Sequence, residues 1–474
     1  MTTLRDRLGQ LADEAPGAPG APGTPGTPDA ADADVSRRGE EPLWLQGRRL
    51  QRRRQAATAL VAAVLVLVIG SLTTLVVGAV DREPLPPADA DAALTLPDEL
   101  YLAGPWSPGT EDTGPIGPLV ALVGAERRSF WSYAGIQVAG VSTAGDYAFL
   151  DLEDRAVSAA FGTEPQLSPD GRWVAYPLSG TPTGEPCPAQ GDTVTGVAVY
   201  DTVTGETTRA PVATTRGLDD QRLVWIGDTL VFTYGQYESC KQGGSSRTRL
   251  AHLRWDLSTG DIDVGLDYRM FPDLYGATPY GDRVVVATGR RSFEVVAADG
   301  AVEPGPRLDV VPKQQVFISP GGARVAANED PDGARTATDS LGQVVVADAT
   351  GRKAGTARRV LREDARQEGQ SADATSRSST TDAVVGWRDD ETLVVRDDRG
   401  YATLEISTGR SESLVRLPPA YGIQPQVAAD ALRAPGFAAP PPGGQGDPRR
   451  MVWLGGGLIV LLAGAAFWRS RVRL

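Results

Sequence analysis

The chain is poor in the residues that most metal-centred and acid–base chemistry requires. Its 474 residues include one His, two Cys and three Met. With only His252, Cys187 and Cys240 to supply imidazole and thiolate, a four-ligand zinc site of the usual Cys/His type cannot be assembled within one chain. Iron–sulfur clusters held by four thiolates are excluded in the same way. Lysine is scarce too, standing only at Lys241, Lys313 and Lys353. The formal charge of -13 leaves no basic stripe of the kind that neutralises phosphates, so no nucleic-acid partner is expected. Nothing in the sequence calls for a cofactor or a bound metal.

What basic charge there is lies at the two ends. Arg48, Arg49, Arg52, Arg53 and Arg54 directly precede Ala56 to Val80, a run of 25 residues without a charge. As a helix such a run reaches about 37 Å, enough to cross a hydrocarbon core of roughly 30 Å. It is too long, and too far from the N-terminus, for an ordinary cleaved signal peptide, although Val77-Gly78-Ala79 would pass as a cleavage site. Met451 to Trp468 is a second apolar run, of 18 residues, bracketed by Trp453 and Trp468 and followed by Arg469, Arg471 and Arg473. Two membrane helices are expected, with both termini cytosolic and the intervening domain outside, because arginine concentrates on the cytoplasmic side. A C-terminal sorting signal is the alternative for the second run, but no LPxTG-type motif precedes it.

The organisation that follows is a cytosolic tail (1–55), a first span (56–80), a linker (81–96), an extracytoplasmic domain (97–418), a Pro/Gly-rich linker (419–450), a second span (451–468) and a basic tail (469–474). Within the first tail, Leu4, Leu8 and Leu11 share one helical face, and a low-complexity Pro/Gly tether follows. Residues 83–90 and 434–447 read as spacers.

Between Pro97 and Pro418 helical periodicity is nearly absent, and short runs of β-branched and aromatic residues alternate with Gly, Asp, Pro and Ser, so the domain is all-β. A turn followed by a strand recurs seven times, at Pro97-Asp98, Gly145-Asp146, Ser168 to Gly171, Gly227-Asp228, Gly281-Asp282, Ser319 to Gly322 and Asp389-Asp390. Several of these are followed by a strand ending in Asp-x-x-Thr-Gly or a variant of it: VAVYDTVTGE (197–206), LRWDLSTGD (253–261), VVVADATGR (344–352), which is one residue shorter between Asp and Thr, and the degenerate TLEISTGR (403–410). The glycine supplies a positive φ where two strands reverse, and the acid can bond the turn backbone. Small sheets that repeat in this way bury their faces by stacking on one another, as the blades of a β-propeller do. LSPDGRWVAY (167–176) with VAVYDTVTGE, echoed by FISPGGARVAAN (317–328) with VVVADATGR, resembles the repeat of TolB-like and related WD-type bacterial β-propellers over residues 97–417. The resemblance implies a six- or seven-bladed disc, with seven favoured by the turn count, that binds proteins, peptides or glycans. It implies no reaction.

Cys187 and Cys240 follow equivalent strands of adjacent candidate blades, and an even cysteine count outside the membrane points to a disulfide between them. The segments that carry them, Pro177 to Thr195 and Gly235 to Thr248, are the longest insertions within a blade and form the expected binding face, with Tyr237 as an exposed aromatic near one tip. His252 lies inside a strand next to Trp255 and reads as a packing or surface residue. The acidic pairs Asp151/Asp154, Asp261/Asp263 and Asp330/Asp332 fit no twelve-residue calcium loop and read as turns. Lys353 to Thr381 reads as a polar mobile loop.

The functional expectation is a membrane-tethered, non-enzymatic binding or scaffold module for an envelope protein, peptide or glycan. One alternative is a transmembrane regulator, sensor or anti-sigma-like, whose N-terminal tail grips a cytosolic partner. Another is a propeller hydrolase, which would have to use His252.

Overall fold

Six small antiparallel sheets follow one another around a closed ring in the computed structural model. Residues 94–447 are described except for short segments, the longest being 330–343 and 361–382, and beyond 447 only single positions are. Blade 2 shows the plan: Gln166–Leu167 innermost, then Trp173–Ser179, Val194–Asp201 and, outermost, Thr207–Pro211. Blade 3 runs from Leu218–Ile226 through Thr229–Lys241 and Ala251–Asp256 to Ile262–Asp267, with Gly244–Arg247 added on the extension of its second strand. Blade 4 begins at Thr278–Tyr280, blade 5 at Pro312–Ile318 and blade 6 at Ala383–Trp387.

The middle strands read as unbroken apolar runs because both faces of a blade are covered by its neighbours. All eight residues of Val194–Asp201 are buried. Outer strands face water on one side, and Ile262, Val264 and Val302 remain exposed there. Inner strands also bond to those of the neighbouring blade: Trp225 Nε1 donates to the Gln166 carbonyl (3.2 Å) and Trp387 Nε1 to that of Phe317 (3.1 Å).

Blade 1 is built from both ends of the domain. Its second to fourth strands are Leu119–Arg128, Tyr133–Ser142 and Tyr147–Phe149, while its innermost is Gln426–Val427. Gln426 also clamps blade 2, since its Nε2 donates to the Pro165 carbonyl (2.7 Å) and its Oε1 accepts the Leu167 amide (3.4 Å). Ala428, Ala431 and Leu432 enter the same core cluster as Val394, Tyr401 and Val415 of blade 6, which shuts the ring. Outside it, Leu96–Pro97 pairs in parallel with Gly436–Phe437.

Seven blades are therefore six. The Pro97-Asp98 turn opens no blade, and Gly145-Asp146 is the turn into the outer strand of blade 1. The domain does not stop at 418, because the closing strand lies in the expected linker and the 434–447 spacer begins with a paired strand. Lys353 to Thr381 is not simply a loop: Arg358–Arg359 is the outer strand of blade 5 and Val360 is buried.

Among the described residues, no helix is long and apolar enough to cross a membrane. The Ala56–Val80 run, the N-terminal tail, Arg48 to Arg54, and Arg469, Arg471 and Arg473 all lie outside the described residues. Of the second run, Gly457, Leu461, Gly464, Ala465 and Trp468 are described and are helical and exposed.

Two buried tyrosines make the fold sensitive to alkali. Tyr147 Oη accepts the Tyr101 amide (2.9 Å), Tyr176 Oη donates to the Glu153 carbonyl (3.1 Å), and burial pushes both phenols up to about 12. An unfolded phenol titrates near 10, so the folded chain holds these protons longer and stability falls as pH rises above about 10. Thermal midpoints should drop across that range in step with tyrosinate absorbance. Tyr147→Phe should flatten the drop, and an unchanged slope would refute the assignment.

Candidate functional site

Successive antiparallel strands place the loops joining second to third strands, and the connections between blades, on one face of the ring. The remaining turns lie on the other. The loop after Ser179 in blade 2 folds along the connection from blade 2 to blade 3 through a ladder of backbone bonds. Thr183 donates to the Thr214 carbonyl (3.0 Å), Gly184 to Thr215 (2.9 Å) and Cys187 to Arg216 (3.1 Å). From the other side, the Tyr237 amide donates to the Gly217 carbonyl (3.3 Å) and Gln236 Nε2 to that of Ala213 (3.2 Å). Residues 213–217 are thus a spine with one cysteine-bearing segment on each flank. Its Thr214 hydroxyl is locked to the backbone of Gly217, which holds φ 106°, where a side chain would be strained.

Thr181, Thr183, Glu185 and Pro186 are exposed along the loop while Cys187 is buried and carries no free thiol. Cys240 lies in the extended second strand of blade 3, opposite Ser245. The stretch expected to be a loop from Gly235 onward is a two-stranded ribbon whose second strand is Gly244–Arg247. Tyr237 sits within this ribbon, opposite Arg247, and is half-buried, not an exposed tip residue.

The other face carries the turns between first and second strands. A pocket of about 310 Å³ there is lined by Asp170, Asp228, Asp282, Asp430 and Arg433. Burial pushes the Asp430 carboxyl up, Arg433 opposes the shift and Asp170 adds to it. The turns are rigid: Ser168 Oγ accepts the Trp173 amide (2.9 Å), and a Cβ on Gly171 would lie 2.0 Å from the Leu119 carbonyl oxygen. The Asp-x-x-Thr-Gly turns are built as their residues suggest. Asp201 Oδ1 accepts the Val203 amide (2.8 Å) with Gly205 at φ 77°, and Asp256 Oδ1 accepts the Ser258 amide (2.9 Å) with Gly260 at φ 79°.

His252 is fully buried, with Nδ1 2.9 Å from the Thr233 hydroxyl and its ring edge-on to Phe271, so it packs blade 3. Of the acidic pairs, Asp263 bonds Arg254 (2.6 Å), Asp261 accepts the Thr259 hydroxyl (2.9 Å) and Asp154 pairs with Arg209 (3.4 Å). Asp330 and Asp332 lie outside the described residues.

No known protein family matches the chain, and no curated protein matches it. Among solved structures it is similar to "Crystal structure of the eukaryotic initiation factor" at 13% identity, covering 62% of this chain and 61% of that one, with a TM-score of 0.30. It is also similar to "Crystal structure of Nidogen/Laminin Complex" at 8% identity, with coverages of 61% and 91% and a TM-score of 0.31. A third is "AtxE2 Isopeptidase - APO", at 11% identity, with coverages of 71% and 55% and a TM-score of 0.32. At these identities and scores, no activity passes from them to this chain.

Proposed function

We propose that the chain is a membrane-tethered, non-enzymatic binding module. In this reading its propeller lies outside the cytoplasmic membrane and grips an envelope protein, peptide or glycan on the face formed by the Cys187 loop and the Cys240 ribbon. The observation that carries the reading is the shared spine at 213–217, which holds both segments in fixed register while leaving polar atoms of the loop exposed. Preorganisation of this kind lowers the ordering penalty of binding. Cys187 carries no free thiol, and Cys240 is the only other cysteine in the chain, so a disulfide between them would complete the tie. An external domain suits such a bond, and the two apolar runs with their flanking arginines supply the tether.

The test is a pull-down from envelope extract. Replacing residues 183–191 with a short Gly/Ser linker should weaken capture of the partner severalfold, while deleting 362–381 should leave capture unchanged. Normal capture by a folded linker variant would move the site to the opposite face.

A further inference from the structure

A second recess lies at the seam between blades 1 and 2, away from the Cys187 loop. It measures about 490 Å³ and is lined by Thr110, Glu111, Asp151, Glu153, Tyr200 and Glu206, together with the turn that ends in Thr207 and Thr208. Among the described residues, four carboxylates and no basic side chain line it. Two of them are already neutralised from outside, Glu111 by Arg127 and Glu153 by Arg209. Asp151 and Glu206 form no ion pair among the described residues.

At the floor, Tyr200 is 2% exposed and its hydroxyl has no hydrogen-bond partner among the described residues. The neighbouring Thr110 Oγ1 accepts the Asp151 amide (2.9 Å). A buried phenol without a partner forfeits free energy that a ligand can restore. Burial, and then the charges of Glu111 and Glu153, push the Asp151 carboxyl up, so negative charge is crowded here. The walls are fixed in advance. Gly117 donates to the Thr202 carbonyl (2.9 Å), and a Cβ on Gly205 would touch Pro115 at 3.4 Å.

We propose that this cleft binds a primary ammonium group, with Asp151 and Glu206 as its counter-charges and Tyr200 Oη and the threonine hydroxyls as neutral acceptors. An ammonium ion offers three donors in divergent directions, which suits acceptors spread over separate walls. No set of three His, Cys, Asp or Glu among the described residues lies close enough to hold a metal ion, so the same carboxylates do not form a chelate. The group can come from a lysine side chain of a peptide or from a free polyamine, and the chemistry at the cleft is the same. The proposal does not depend on the Cys187 face, since the turn from Asp201 to Thr207 lies on the opposite side of the ring.

The test is calorimetry on the full chain in detergent, titrating spermidine in one arm and a lysine-containing, otherwise uncharged peptide in the other. At least one probe should bind, more weakly as salt is raised. The Asp151→Asn/Glu206→Gln variant should lose about tenfold in affinity or more, as expected when hydrogen bonds to a charged group are removed. Tyr200→Phe should weaken binding by a smaller factor. The double variant alters two exposed side chains, so its fold, checked by thermal unfolding, should be intact. Binding by spermidine alone identifies a free amine as the ligand, and binding by the peptide alone identifies a lysine side chain. Binding of neither probe, or equal binding by the folded double variant, overturns the proposal.

Discussion

Cutting the chain after Leu417 should abolish the native ring, whereas cutting it after Ala439 should leave it folded. The difference is a stretch of 22 residues that supplies the inner strand of blade 1, the Gln426 clamp on blade 2 and the buried Ile423, Ala428, Ala431 and Leu432. Burial of those apolar side chains contributes roughly 5 kcal/mol by area, before the backbone bonds of Gln426–Val427 are counted. That is already at the scale of a whole domain's net stability. Loss of the strand also bares the edge of Leu119–Arg128 to wrong pairing. Circular dichroism in the aromatic region and denaturant unfolding of the two fragments decide the matter. A 1–417 fragment that unfolds cooperatively at the midpoint of 1–439 would refute this account of closure.

Removing the proposed tie between Cys187 and Cys240 should have the next largest effect. The bond would enclose about 52 residues, worth about 4 kcal/mol in the chain-entropy description and less wherever the unfolded state keeps structure. Cys187→Ser, Cys240→Ser and the double variant should each lower the thermal midpoint by a similar amount, because the second substitution removes nothing further. Dithiothreitol should reproduce the shift in the unaltered chain only. Additive effects of the two single substitutions would show that the thiols act separately. Proteolysis should then begin within 183–191, where Thr183 to Pro186, just before the released side chain, are exposed.

Five blades were legible in the sequence because each opens with a tight hairpin whose turn residues are specific. Ser168 to Gly171, Gly227-Asp228, Gly281-Asp282, Ser319 to Gly322 and Asp389-Asp390 all join a first strand to a second. Blade 1 has no such hairpin, since its first strand arrives from the far end of the chain, and the bond from Leu167 to Gln426 spans 259 residues. No local pattern reports a pairing of that separation. The turn at Gly145-Asp146 has the same chemistry as the others but joins a third strand to a fourth, so counting turns overcounted blades. Similarly, Arg358–Arg359 carries no apolar signal, as an outer strand paired along one edge needs none.

The two functional readings differ in the same way. Cys187 and Cys240 stand on one face because one follows the second strand of blade 2 and the other lies in the extended second strand of blade 3, whereas Tyr237 is half-buried because the residues around it pair into a ribbon without being apolar. The acidic cleft draws Glu111, Asp151, Tyr200 and Glu206 from three separate stretches. Asp151 was visible as half of an acidic pair, but its partners across the seam depend on how two blades stack.

The short parallel pair at the ring's edge governs how the domain answers to tension. Leu96 leads into the propeller and Phe437 leads out, so a pull on the two ends draws these strands past each other along their length. The bonds from the Leu96 amide to the Pro435 carbonyl (3.1 Å) and from the Asp98 amide to the Phe437 carbonyl (2.8 Å) are then loaded together, not peeled in turn. A few hydrogen bonds in shear resist far better than the same number unzipped. A chain held at both ends would therefore keep its ring locked under load while an antiparallel clasp of equal length gave way.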